Sequence, residues 1–403
     1  MAEHFSIKEA RSATTSLLSY CQSNEWAGYD PYDALNSTLF KTFPFLNSRV
    51  PRLVFTQALK RSPFDFRRLL LIPKTRNPKA ISLFLSAFLK LEKSGFDVPP
   101  SLIGEMIDRL AELRSPGFAD WCWGYSFPWQ TRTIVVPVAA PNLVCTTFVG
   151  SALLDAFEQR GETRCLSMAV SAADYILNNL YWTKGPEEAG FSYPLPSVRV
   201  LVHNANLLAA AFFCRVYKHT GNAKLLGPAL RAARYAAKWQ LPNGAWRYGE
   251  GPKQDWVDNF HTGYNLGALQ DISNCLNTDE FETHIHRGFD FYREHFFRAD
   301  GAARYFHDRT YPIDIHCVAQ SVITLMQFRQ LHAENTNLAS SVLHWAMDHM
   351  WDDRGFFYYR VLRTCTIRTS YMRWSQAWML LALATFIEGL SSDESAMALG
   401  QTR

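Results

Sequence analysis

The chain of 403 residues is 48% hydrophobic and 14% aromatic, enough to bury a large core, and has no low-complexity segment. Its 41 basic and 37 acidic side chains leave a net charge of +4, too mild to predict a nucleic-acid-binding face. The opening residues, MAEHFSIKEARS, lack the basic-then-apolar pattern of a secretory signal and no apolar run reaches bilayer length, so the expectation is a cytoplasmic protein without a transmembrane segment. Eight cysteines without a C-x-x-C pair, mostly among apolar neighbours, read as reduced, buried thiols.

Along the chain, Ile7 to Ser23 has helical spacing of Ala10, Ala13, Leu17, Leu18 and Cys21 and runs into a turn-rich loop carrying Asp30 and Asp33. A helix is expected from Arg52 to Arg61, followed by a basic loop (Arg67, Arg68, Lys74, Arg76) that reads as solvated. Apolar helices then begin near Asn77, Pro141, His203, His261, His316 and Trp374, at a recurring interval that fits one helical hairpin plus loops. Between them lie helices with one polar face: Ser101 to Leu113, Glu162 to Leu180, Ala223 to Gln240, Asp279 to Phe297 and Leu338 to Trp351. Six apolar helices inside and polar-faced helices outside make an all-α (α/α)6 toroid, with either Ile7 to Ser23 or Arg52 to Arg61 as the sixth outer member. The chain reads as one domain: residues 1–76 complete the ring, 77–390 hold the hairpins, and 391–403 form a disordered tail.

Glycine followed by aromatic residues precedes the later inner helices, as in Gly244-Ala245-Trp246, Gly301 to Tyr305 and Gly355-Phe356-Phe357. Gln240 to Trp246 has the spacing Q-x-x-x-G-x-W and resembles the QW repeat of triterpene cyclases, where the segment is a structural staple; the cyclases' Asp-x-Asp-Asp acid motif is absent. In repeat plan and loop chemistry the chain also resembles the glycan-active toroids: unsaturated glucuronyl hydrolases, sugar 2-epimerases and the toroidal domains of uronate lyases. The strings WAGYDPYDALNS, CWGYSFPWQTR and WVDNFHTGYNL resemble an uncharacterised bacterial family linked to polysaccharide biosynthesis. These resemblances imply a carbohydrate substrate.

If the inner helices aim their amino termini at one opening, polar and aromatic residues from six segments converge there. The candidate catalytic residues are Asp258, His261, Tyr264, His203, His316 and Asp255. Candidates for holding the sugar are Asp30, Asp33, Trp121, Trp123, Tyr125, Trp129, Arg132, Asn204, Trp246, Asn259, Arg309, Tyr311, Asp314, Arg368, Tyr371 and Arg373. A histidine beside Asp258 or Asp314 would act as a base with its tautomer fixed, and Tyr264 or Tyr311 would handle the opposite proton, which is lyase or epimerase chemistry. Two carboxylates across the cavity would instead hydrolyse. Each residue also has a structural explanation: helix caps for Asp258 and Asn259, loop anchors for Trp121, Trp123 and Trp246. A zinc site built on His316-Cys317 with Cys122 and His261 loosely resembles that of lanthionine cyclases, but their CHG string is missing, so neither metal nor cofactor is expected.

The expectation is therefore a toroid acting on an acidic or lipid-linked oligosaccharide by hydrolysis or proton abstraction. The alternatives are a terpenoid or polyprenyl cyclase-like enzyme and a non-catalytic glycan-binding assembly protein. Oligomeric state is not legible.

Overall fold

The computed structural model describes residues 4–43, 48–131 and 134–400, the backbone alone at 41 and 394–400. Its helices are α1 (Ile7–Ser23), α2 (Thr38–Thr42), α3 (Arg49–Arg61), α4 (Pro78–Lys93), α5 (Pro100–Glu112), α6 (Leu143–Arg160), α7 (Thr163–Asn179), α8 (His203–Thr220), α9 (Leu226–Ala237), α10 (Asn259–Leu276), α11 (Glu282–His295), α12 (Ile315–Gln327), α13 (Asn335–Met350) and α14 (Trp378–Gly400).

Local chemistry sets where the inner helices begin. Asn77, Asn142, Asp258 and Asp314 each accept a hydrogen bond from a backbone N–H in the first turn of α4, α6, α10 and α12. Left-handed residues Gly161, Gly221 and Asn277 end α6, α8 and α10. These helices are apolar nearly all round; in α12 every residue from Ile315 to Val322 is buried. Outer helices bury one stripe only. In α9 it is Ala229, Ala232, Ala233, Ala236 and Ala237, small enough for close approach, while Arg231 and Arg234 lie off it.

The helices form an (α/α)6 toroid. Each inner helix packs on the next in the order α4, α6, α8, α10, α12, α14, and α14 returns to α4 to close the ring. Outside it, α5, α7, α9, α11 and α13 each pack on the inner helix that precedes them. The sixth outer place is filled by α1 against α14, so Ile7 to Ser23 completes the ring and Arg52 to Arg61 does not.

Instead α3 packs on the 3-10 turn Asp33–Asn36 and on the strand Trp129–Gln130. Ala34, Leu59 and Ile72, with Tyr29, Phe55 and Leu70 against them, form a second small core separate from the main one. The described residues between 29 and 75 thus make a cap on the mouth of the ring. Lys60 of α3 donates to the Tyr32 hydroxyl at 2.6 Å, and the Tyr32 ring meets Trp374 edge-on at 5.5 Å.

The glycine punctuation has a steric cause. Gly244 has φ +90°, and a Cβ there would stand 2.1 Å from the carbonyl oxygen of Arg287; Gly301 repeats the arrangement against Ser341 O. Gln240 donates to Gly244 O and His284 O, and Trp246 Nε1 to Ala236 O, so this Gln–Trp pair ties the end of α9 to the neighbouring outer helix α11 and argues nothing about activity.

The last inner helix, α14, continues to Gly400. Residues 401–403 lie outside the described residues.

Candidate functional site

Side chains near the starts of α4, α6, α10, α12 and α14 are brought together: Lys79, Phe148, Tyr264, His316 and Trp378 are linked by contacts. Asp258 caps α10 and His261 stands one turn on, so the cap geometry itself brings the imidazole back over the carboxylate. Asp258 Oδ1 accepts from His261 N at 3.0 Å, and Oδ2 accepts from Trp256 Nε1 at 2.8 Å and His261 Nδ1 at 2.7 Å. A carboxylate accepts only, so Nδ1 carries the proton and Nε2 presents its lone pair; Nε2 has no hydrogen-bond partner among the described residues. Asp258 is fully buried, while the His261 side chain is 20% exposed. The base is thus reachable and its orienting group is not.

One turn further, the Tyr264 hydroxyl lies 2.7 Å from His316 Nε2. The His316 ring is sandwiched between Phe260 and Trp378, at 4.5 Å from each. Burial, and then the nearby Lys79 and Arg373 charges, hold its pKa well below the usual imidazole value, so it is neutral. Burial likewise holds the Tyr264 phenol well above its ordinary value. Nδ1 of His316 is buried without a partner. The Tyr264 and His261 rings are 6.0 Å apart.

Lys79, in the first turn of α4, completes the group. Its ammonium lies 3.9 Å from the centroid of Phe148, with Trp378 at 5.3 Å and Tyr264 at 5.7 Å. No carboxylate pairs with it among the described residues, and burial drives its pKa well below that of a free lysine. Around these groups stand the half-buried Tyr32, Phe148, Tyr193, Tyr248 and Tyr305. Beside them His203 Nε2 meets Glu250 at 2.9 Å, and its Nδ1 is unpartnered.

Three other aspartates are locked. Arg373 forks onto Asp30 at 2.6 and 2.8 Å, and Arg67 onto Asp33 at 3.0 and 3.3 Å. Asp314 accepts from Trp374 Nε1 and His316 N, and Arg360 binds its second oxygen, brought there by strand pairing of Asp314 with Arg360. Arg67, expected in a solvated loop, is 1% exposed: the buried Asp33 carboxylate and the Tyr371 ring, 4.7 Å from the guanidinium, draw it inside.

Several expected ligand residues are not in this group. Asp255 is exposed. Trp123 and Trp246 are buried anchors whose indoles donate to Leu110 O and Ala236 O, and Trp121 stacks on Trp123 under Arg114. Asn259 is consumed by Ser321 and Tyr292 between helices, because its position after the cap points it toward α11 and α12. Tyr371 is buried against Arg67. Arg309 pairs with its neighbour Asp308, and Tyr311 is 40% exposed. Arg368 lines a separate hollow of about 570 Å³ between the end of α1, the cap and the hairpin near Arg354. That hollow contains neither His261 nor Tyr264. Tyr125 lies under Arg373 at 4.9 Å with Trp129 beside it, and Asn204 is buried with Oδ1 unpartnered. Arg132 lies outside the described residues.

Lys79, Glu250, Trp256, Arg360 and Tyr193 escape a sequence reading centred on helix-start histidines. Lys79 had a signal, a lysine opening an otherwise apolar helix; Arg360 and Glu250 had none, since their partners are set by strand and loop pairing. Among the described residues no group of three His, Cys, Asp or Glu is gathered to hold a metal ion.

The chain resembles several solved structures. Cellobiose 2-epimerase from Spirochaeta thermophila DSM 6192 matches with 14% identity over 80% of this chain and 87% of that one, TM-score 0.59. A family 76 glycoside hydrolase from a bovine Bacteroides thetaiotaomicron strain matches with 14% identity over 79% and 69%, TM-score 0.59. A polysaccharide lyase matches with 12% identity over 96% and 98%, TM-score 0.60. At such identities the likeness establishes the α/α toroid and nothing about activity. No protein-family model and no curated protein matches the chain in sequence.

Proposed function

We propose that this protein is a carbohydrate-active enzyme that moves a proton on a sugar ring, by epimerisation or elimination. The Asp258–His261 pair carries the reading: a buried carboxylate fixes Nδ1 as donor and leaves a reachable Nε2 as base. The Tyr264 phenol, held by a neutral His316, supplies or takes the opposite proton. Hydrolysis fits less well, because a glycosidase needs two carboxyl groups able to act across one bond. Here Asp30, Asp33 and Asp314 are each bound by an arginine, and Asp258 by three N–H donors.

The aromatic faces of Tyr32, Phe148, Tyr193 and Tyr305 suit the C–H surface of a sugar. Lys79, without a carboxylate of its own, suits the acid group of a uronate, which supports the expected acidic oligosaccharide. A lining of tyrosine, histidine and lysine favours a polar ligand over a terpenoid.

The test is to incubate the protein with uronate-containing oligosaccharides in D2O and follow ring C–H signals by NMR. Epimerisation places deuterium on the ring carbon of the recovered sugar, elimination removes that C–H and yields a 4,5-unsaturated product with a vinylic signal, and His261→Ala slows whichever is seen by about 10²–10⁴. Glycosidic cleavage that leaves only saturated sugars without deuterium, or undiminished activity in the His261→Ala protein, would sink the proposal.

A further inference from the structure

Charge and exposed apolar surface are unevenly distributed in this chain, and both concentrate in the cap. The cap, residues 29–75, contains eight lysines and arginines against three acids, Asp30, Asp33 and Asp65, a local charge of +5 in a chain whose total is +4. Among the described residues, seven of the twelve large exposed hydrophobic side chains also fall between 43 and 71. Val50 and Val54 are 68% and 62% exposed on one stripe of α3, whose opposite side buries Thr56 and Leu59. Leu69 at 77% and Phe64 at 69% follow in the loop that packs Leu70 inward against the cap core. Arg61 and Arg68 are exposed on the same segment and form no ion pair among the described residues. Arg67, Lys60 and Arg52 are used internally, against Asp33, Tyr32 and Gln130.

A surface that offers both isolated apolar side chains and unmatched cations is chemically suited to the boundary of an anionic bilayer, where the former enter the acyl region and the latter meet headgroup phosphates. A second copy of the same face is a poor occupant, since two patches of like charge would repel. A nucleic acid gives no use for exposed valine and leucine. Among the described residues no helix is long and apolar enough to cross a membrane, so the contact is interfacial.

We propose that the outer face of the cap, centred on Val54, Arg61, Phe64, Arg68 and Leu69, docks the protein on an anionic lipid surface. Docking sets the cap, and with it the mouth of the ring, against the membrane. The inference is independent of the chemistry at His261, and its test involves no turnover.

The experiment is flotation of the full chain with phosphatidylcholine vesicles with and without phosphatidylglycerol. Binding is expected to the anionic vesicles only and to weaken with salt. The Arg61→Glu/Arg68→Glu and Val54→Asp/Leu69→Asp proteins, altered only at exposed positions, lose about tenfold or more in partitioning. Val138→Asp, at an exposed apolar residue outside the cap, leaves it unchanged. Circular dichroism confirms that each variant is folded. Three results overturn the proposal: no flotation with anionic vesicles, undiminished flotation of both double variants, or sedimentation showing a dimer that those variants dissolve. Displacement of bound vesicles by single-stranded nucleic acid at lower concentration than by excess lipid also overturns it.

Discussion

His261 owes its orientation to one residue. Asp258→Asn would keep a cap for α10 and a bond to the ring, but its amide can donate to Nδ1, turning the lone pair away from the substrate side. Turnover is expected to fall by on the order of 10²–10⁴ with KM little changed, which steady-state kinetics would separate from lost binding. His316 makes a different prediction. Burial keeps it neutral in the folded protein, with a pKa well below 6.5, whereas the unfolded chain protonates it near the ordinary value of about 6.5. The unfolded state therefore binds this proton first, so His316 favours folding above about pH 6.5 and loses that contribution as the pH falls, by up to about 1.4 kcal/mol per unit. Urea unfolding between pH 7 and pH 5 should record the decline, and His316→Phe should make it shallower; an unchanged slope would mean that the ring takes up its proton equally in the folded and unfolded states. Lys79 also sits where charge is penalised. Lys79→Met should raise neutral-pH stability by about 0.5–2 kcal/mol while weakening binding of acidic sugars, a gain without loss of binding counting against its assigned role.

At the scale of elements, the turn before each inner helix fixes how the hairpins stack. Gly244→Ala must place a Cβ against Arg287 O in a left-handed turn, and should destabilise by about 1–3 kcal/mol in equilibrium unfolding. Gly117→Ala, at φ +83° with nothing within 4 Å, bears only the backbone strain and should cost less. Equal costs would show that the close approach is unimportant. The short sheet Ile313–Asp314 with Arg360–Val361 matters for another reason: it delivers Arg360 to the cap of α12. Removing Asp314 would leave that guanidinium buried and unpaired as well as uncapping the helix, a loss of about 3–5 kcal/mol. The six-residue π-helical turn Met372–Ala377 opens α14 and carries Arg373 to Asp30 and Trp374 to Asp314, so one local irregularity fastens both the cap and the neighbouring helix.

Across the whole molecule, the ring and its cap are held by different forces. The ring is one continuous apolar core, whereas the cap's own cluster is only Ala34, Leu59 and Ile72 with partly buried neighbours, and the cap is joined to the ring by buried ion pairs such as Asp30–Arg373. Amide exchange in residues 49–72 should therefore be faster than in α10 and α12, by about a hundredfold or more, and slow on ligand binding. Equal protection would make the cap an integral part of the core.

The repeat of apolar and polar-faced helices was readable because helix burial leaves a periodic trace in a single strand of sequence. So were the helix starts at His203, His261 and His316, and the Asp258 cap three residues before its histidine, since these are local relations. The cap on the mouth, the burial of Arg67, the locking of Asp30 and Asp314 by arginines 343 and 46 residues away, and the isolation of Lys79 among aromatic rings are relations between distant segments. Pairing across such separations leaves no period and no spacing, so only the closed ring, by bringing the starts of α4, α6, α10, α12 and α14 together, decided which charges are neutralised and which stay available.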